Sequence, residues 1–240
     1  MAQLADAGWR VVMATAFTAT VLPATGFALA CQLDKGLGAE VDYMALRREE
    51  DRAAAAILGV ADLRWLGLAE APHRGYGSAA ELFGEVRPGD DVWRPLAACI
   101  SGLLAELRPG LVLVPQGLGN HVDHRQMIRA VAHAGTAHVA LYRDTPYALR
   151  DAAAGPDEGA DGMRLVVVDT AAGLARRIGA SCAYGSQIGF QFGGAAALAS
   201  ALEAFALREG GGRAGERYFA TVGAAAALRS CGHQAAIKQG

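Results

Sequence analysis

The sequence predicts an α/β fold, a three-layer α/β/α sandwich around a mostly parallel sheet, and three observations carry that prediction. Short apolar runs bounded by turn residues alternate with longer segments of helical period along nearly the whole chain. The connections between successive runs are long enough for the crossovers that parallel pairing requires. The run Leu111-Val112-Leu113-Val114-Pro115 reads as a strand buried on both faces, and it empties into a turn carrying Gly117, Gly119, Asn120, His121, Asp123 and His124. In an open parallel sheet, ligands bind in the crevice beyond the carboxyl ends of the strands, so these polar groups mark the candidate site.

Taken in order, Met1 to Gly8 reads as a helix end closed by Gly8, and Arg10 to Thr18 as a strand. Thr18 to Gly38 holds Pro23, Gly26 and Gly36 without a sustained period, and reads as a loop with at most one short turn. Asp42 to Leu58 has a helical period, with Leu46, Ala53, Ala54, Ile57 and Leu58 on its inward side and Gly59 closing it. Arg47 and Glu50 can pair across one turn of it. Arg64-Trp65-Leu66 is the next strand, and Pro72 to Gly77 a turn-rich, solvated excursion. Leu96, Ile100, Leu103, Leu104 and Leu107 form one stripe of a helix stopped by Pro109 and Gly110.

Beyond the central turn, Val122 to Ala134 is a helix, with His133 and His138 as polar edge residues near its end. His138 to Arg143 and Arg164 to Val168 are strands. Between them, Arg150 to Gly162 is a surface loop tolerant of insertion. Asp169 or Thr170 caps a helix with Leu174 and Ile178, and Gly193-Gly194 leads into another with Leu198, Leu202 and Phe205. Gly210-Gly211-Gly212 is a flexible break and Arg217 to Val222 the last strand; Gly223 to Gly240 is expected to be an alanine-rich, loosely held tail. One domain over residues 1–240 accommodates all of these elements.

Composition narrows the function classes. A chain of 240 residues, 52% hydrophobic, can bury one substantial core. Its formal net charge of -2, with 19% charged residues, provides no basic surface in bulk. That excludes a nucleic-acid backbone as partner and favours small or neutral ligands. No apolar stretch approaches ~20 residues without polar breaks, so no integral membrane segment is expected. Cys31, Cys99, Cys182 and Cys231 lack metal-site spacing and read as free thiols, which suits a cytoplasmic protein.

The spacing His121-Val122-Asp123-His124 sets two imidazoles around a carboxylate. They cannot both point the same way along a helix, so they suit different tasks, one a metal and the other a substrate. A carboxylate beside an imidazole fixes its tautomer, and Asp123 is placed for that. A helix start with exposed histidines fits the same spacing; the strand and glycines before it favour a chemical role.

These residues and several other segments resemble the LmbE-like (PIG-L) zinc-dependent N-deacetylases. Leu107-Arg108-Pro109, Val112 to Pro115 and His121 to Arg125 resemble the family's second signature. Leu46-Arg47-Arg48-Glu49-Glu50 with Ala53 to Ala56 and Leu58-Gly59 resembles its arginine-glutamate-alanine helix, and Leu66-Gly67-Leu68 its next strand end. Tyr142 to Asp144 with Pro146-Tyr147 resembles an aspartate-proline-tyrosine segment, Tyr184 to Ile188 a tyrosine-serine-glutamine turn, and Glu216-Arg217-Tyr218 a late glutamate-arginine-aromatic element. The family's opening strand and His-Pro-Asp-Asp segment have no counterpart in the sequence.

The resemblance implies a Rossmann-like sheet with its central first strand missing, so that neighbouring strands carry unpaired backbone groups and the chain folds poorly or closes differently. It implies hydrolysis of an N-acetyl group from an amino-sugar-containing glycoside by a zinc-activated water. His124 is then the one of three expected zinc ligands present. His121 is the imidazole facing the oxyanion or leaving amine, Asp123 its supporting carboxylate, and Arg143 and Tyr147 the wall of the substrate site. Gln187 and Arg217 are expected to be structural. The alternative is a non-catalytic remnant of the fold, a binding or scaffold protein with an incomplete metal site. Either fits a monomer or an oligomer.

Overall fold

The computed structural model describes residues 1–150 and 161–237, the side chains of 231–237 apart. The insertion-tolerant loop expected between Arg150 and Gly162 falls on residues outside that set, as does the side chain of Cys231.

The chain begins with α1 (Ala2–Asp6), β1 (Val12–Phe17), α2 (Gly26–Leu33), α3 (Tyr43–Leu58) and β2 (Asp62–Leu68). A 3₁₀ turn at Ala71–Arg74 precedes α4 (Ala79–Leu82), α5 (Trp93–Leu107) and β3 (Val112–Pro115). A second 3₁₀ turn, Leu118–Asn120, leads to α6 (Val122–Ala134), β4 (Val139–Tyr142), α7 (Tyr147–Arg150) and β5 (Arg164–Asp169). After a third such turn at Ala171–Gly173 come α8 (Leu174–Cys182), α9 (Gly185–Phe192), α10 (Ala195–Glu209), β6 (Gly215–Ala220) and α11 (Val222–Ile237). The α/β class stands. These elements group into two compact units, residues 1–82 with 172–204 and residues 83–171 with 205–240.

In the first unit β1 and β2 pair in parallel, Val12 opposite Asp62. Helix α3 starts and stops where the sequence predicts. The Asp42 side chain accepts the Ala45 N–H at 2.8 Å, and Gly59 closes the helix at φ 70°. Its buried face differs from the expected one. Met44, Glu50, Asp51, Ala54 and Ala55 are buried, whereas Ala53 and Ile57 are exposed. Donors from neighbouring elements wait for the two carboxylates, and satisfied charge on that face outweighs the gain from burying Ile57.

Two further expectations are corrected here. The loop expected over Thr18 to Gly38 contains α2, held from inside by Gln32, whose amide donates to the carbonyls of Gly38 and Val41. The segment around Tyr184-Gly185-Ser186-Gln187 starts helix α9.

The second unit carries a four-stranded sheet in the order β3-β4-β6-β5. β3 and β4 are parallel, and β6 runs antiparallel to β4 and β5, so three of the four strands point one way. Helix α11 replaces the first part of the expected loose tail. Ala224, Ala225 and Leu228 are buried with Ala140, Val166, Tyr218 and Ala220 of the strands. Alanine is the strongest helix former, and a row of alanines lets the helix lie close on the sheet.

Candidate functional site

The parallel register of β3 and β4 sets Pro115 beside Tyr142. Residues just past both strand ends therefore meet. Gln116, Gly117 and Leu118 lie beside Asp144, whose carboxylate accepts their main-chain N–H groups at 3.2, 2.7 and 2.9 Å. The turn that follows needs its glycines. Gly117 has φ 87° and Gly119 φ 78°; a Cβ on the first would lie 2.7 Å from Ile128 Cδ1, and one on the second 2.7 Å from the Tyr147 ring. That turn delivers His121 to the start of α6.

His121 is the N-cap of α6, and its Nδ1 accepts the main-chain N–H of Asp123 at 3.2 Å. A ring nitrogen that accepts carries no proton, so neutral His121 holds its hydrogen on Nε2. His124, one turn on, sets Nδ1 3.4 Å from the Asp144 carboxylate. The two rings lie 5.5 Å apart, centroid to centroid. Tyr147 meets His124 edge-on at 5.7 Å, and Phe83 meets His121 at 5.3 Å and Tyr147 at 5.8 Å. An aromatic rim thus encloses the pair of imidazoles. Asp123 is buried beside them, although the bond it gives His121 comes from its main chain.

Burial pushes the Tyr147 phenol up to about 12, helped by Asp144 and Asp123 and opposed by Arg150. It stays a neutral hydroxyl at physiological pH. Tyr147 is seated by Leu118, Ala148 and Phe205 packed beneath it. Arg143 directly precedes Asp144 in the chain. It is buried with its Nε 3.4 Å from the Glu209 carboxylate, near which Arg208 and Arg217 also gather at 3.9 and 4.0 Å. Arg217 also donates to the Glu209 main-chain carbonyl at 3.0 Å.

The first unit holds a second polar cluster. Asp51 accepts from Thr15 Oγ1 at 2.9 Å, Trp65 Nε1 at 2.9 Å and the Tyr184 hydroxyl at 2.7 Å. Glu50 takes the Ser186 N–H at 2.6 Å and its hydroxyl at 2.8 Å, with Arg47 Nε 3.6 Å away. Gln187 donates to Tyr43 and to Ser186. Each carboxylate is saturated by protein donors, which makes this cluster a clamp between α3 and α9 rather than a reactive site. Sequence reasoning gave no role to Asp51, and named Asp144 only within a family-like segment without a role in the site. Asp144 had a readable signal, an acid two residues past a strand end.

Over 105 residues the chain is 31% identical to the 2'-N-acetylparomamine deacetylase of Streptomyces fradiae. The match takes in 42% of this chain and 37% of that protein, so the chain spans little more than a third of that curated relative in the region they share. The crystal structure of the A40926 pseudoaglycone deacetylase is 25% identical, with a TM-score of 0.76 over 91% of this chain and 88% of the other. A zinc-inhibited form of a teicoplanin deacetylase is likewise 25% identical, with a TM-score of 0.74 over 91% and 90% of the two chains. Residues 1–135, more than half of the length, match the PIG-L model described as GlcNAc-PI de-N-acetylase, and the chain belongs to this LmbE-like family of deacetylases.

Proposed function

We propose that the chain hydrolyses the N-acetyl amide of a small amino-sugar-containing glycoside bound beyond the end of β3. The observation that carries this reading is the pairing of His121 and His124 inside an aromatic rim at that strand end, in a chain of a deacetylase family. His121, with its hydrogen on Nε2, donates a hydrogen bond toward the amide oxygen as negative charge builds there, and its ring faces the departing amine. Asp123 is the residue we assign to support that imidazole, through the main-chain N–H that His121 Nδ1 accepts. The neutral phenol of Tyr147 and the ring of Phe83 give a sugar an apolar wall with one hydroxyl to bond. Arg143, held by its pairing with Glu209, is assigned to the same wall on the family resemblance.

Zinc is the metal the family resemblance implies, and His124 is the residue we assign to bind it. The donors present do not complete such a site. Among the described residues, no group of three His, Cys, Asp or Glu side chains is disposed to hold a metal ion. No step is therefore derived through the metal. That incomplete set favours one second reading, a binding or scaffold protein of the same fold. Free thiols at Cys31, Cys99 and Cys182 support a place in the reducing cytoplasm. No single helix among the described residues is long and apolar enough to cross a membrane.

The deciding experiment follows free acetate by NMR when the chain is incubated with 2'-N-acetylparomamine or N-acetylglucosamine, with and without added zinc. Release that falls by about 10²–10³ in a His121→Ala variant is the expected result for a donor to the developing oxyanion. Saturable binding of either sugar with no acetate released under any condition would establish the second reading instead.

A further inference from the structure

One buried charge beside the imidazoles has no part in the chemistry proposed above. Asp144, 2% exposed, sits two residues beyond β4 with three main-chain donors and one imidazole nitrogen converging on it. Oδ1 accepts from the Gln116 N–H; Oδ2 accepts from Gly117 and Leu118 and lies 3.4 Å from His124 Nδ1. The three main-chain donors have fixed protons, so they bind the carboxylate only as an acceptor. The imidazole alone has a choice. With hydrogen on Nδ1 it adds a fourth donor; with hydrogen on Nε2 it sets a nitrogen lone pair against a carboxylate oxygen.

We propose that Asp144 is the positioning residue that selects the tautomer of His124, holding its hydrogen on Nδ1 and leaving a lone pair on Nε2. His121 supplies the contrast. Its Nδ1 faces a main-chain donor instead of a carboxylate, and its hydrogen sits on the other nitrogen. Two imidazoles three residues apart are thus set as opposites, one offering an N–H at Nε2 and the other a lone pair there. The same carboxylate pins residues 116–118, from which the turn to His121 departs, so one side chain sets both the loop and the tautomer. Its use in catalysis rests on the deacetylase reading; the tautomer itself does not.

The test reads ring nitrogens directly. The full chain is labelled with ¹⁵N-histidine and observed by NMR well above the range where imidazole titrates, with a His124→Gln variant assigning the signal. The wild-type chain is expected to show His124 protonated on Nδ1 and bare on Nε2. An Asp144→Ala variant that folds, by circular dichroism, is expected to shift His124 to the Nε2–H form that a free imidazole side chain prefers. Wild-type His124 carrying its hydrogen on Nε2 would overturn the proposal, and this arm decides the matter if the alanine variant does not fold. A folded Asp144→Ala chain that keeps the Nδ1–H form would overturn it too. No substrate enters the measurement, so loss of the deacetylase reading would leave its result unchanged.

Discussion

At the scale of single residues, the site couples polar chemistry to burial, and Tyr147 is where that coupling is measurable. Burial raises its phenol to about 12, above the value near 10 expected in an unfolded chain. Folding therefore favours the protonated phenol. Its contribution to stability is fully present below pH about 10 and is lost as pH rises to about 12. Urea unfolding compared between pH 9 and pH 11 should show wild type losing more stability than Tyr147→Phe, in which no phenol remains at that site; equal losses would place Tyr147 in water. The histidines of this site were legible in sequence because a strand, two glycines and His-x-Asp-His are contiguous. The meeting of Asp144 with His124 was not, since the two lie twenty residues apart along the chain and only the parallel ladder of β3 and β4 brings them together. Arg143, the neighbour of Asp144, was assigned to the site wall on the family resemblance, and in the structure it pairs with Glu209.

Elements were legible in their ends and less so in their faces. For α3 the cap residues Asp42 and Gly59 fix both termini locally, and for α6 His121 and Gly135 do the same. Which side of α3 faces inward depends on partners far along the chain. Thr15, Trp65 and Tyr184 all donate to Asp51, from sequence separations of 36, 14 and 133. No local count of apolar residues contains that information, and the expected Leu46–Ile57 face follows from it. Helix α2 escaped notice for the opposite reason. It opens on Gly26 at φ 54° with no side-chain cap, and one of its two buried residues is the polar Gln32. The Asp51 clamp yields a direct prediction. An Asp51→Ala variant leaves three donors without their acceptor, each at about 1–3 kcal/mol when buried, so a loss on the order of 3 kcal/mol or more is expected in urea unfolding. Asp51→Asn, which keeps an oxygen and the shape, should lose less. An alanine variant as stable as wild type would mean that water already reaches those donors.

At the scale of the whole molecule, the two compact units raise the question of how many cooperative bodies the chain contains. Neither unit is a continuous stretch. The chain passes between them after residues 82, 171 and 204, and the last passage falls inside α10, a single helix of fifteen residues. Leu198 and Leu202 of that helix are buried with Ile188, while Phe205 is buried with Leu118 and Ala148. Melting either half of α10 removes intrahelical hydrogen bonds from the other, because helix formation is cooperative along the backbone. Such wiring opposes independent unfolding, and we expect the chain to behave as one domain. Scanning calorimetry tests this. A single transition should carry roughly 170 kcal/mol near 60 °C, at about 0.7 kcal/mol per residue, with a van't Hoff enthalpy close to the calorimetric one. Two resolved transitions, or a van't Hoff enthalpy near half the calorimetric value, would instead make each unit its own cooperative body. The interrupted helix would then have to open at the passage after residue 204, so hydrogen exchange at Phe205 and Ala206 would report the first transition.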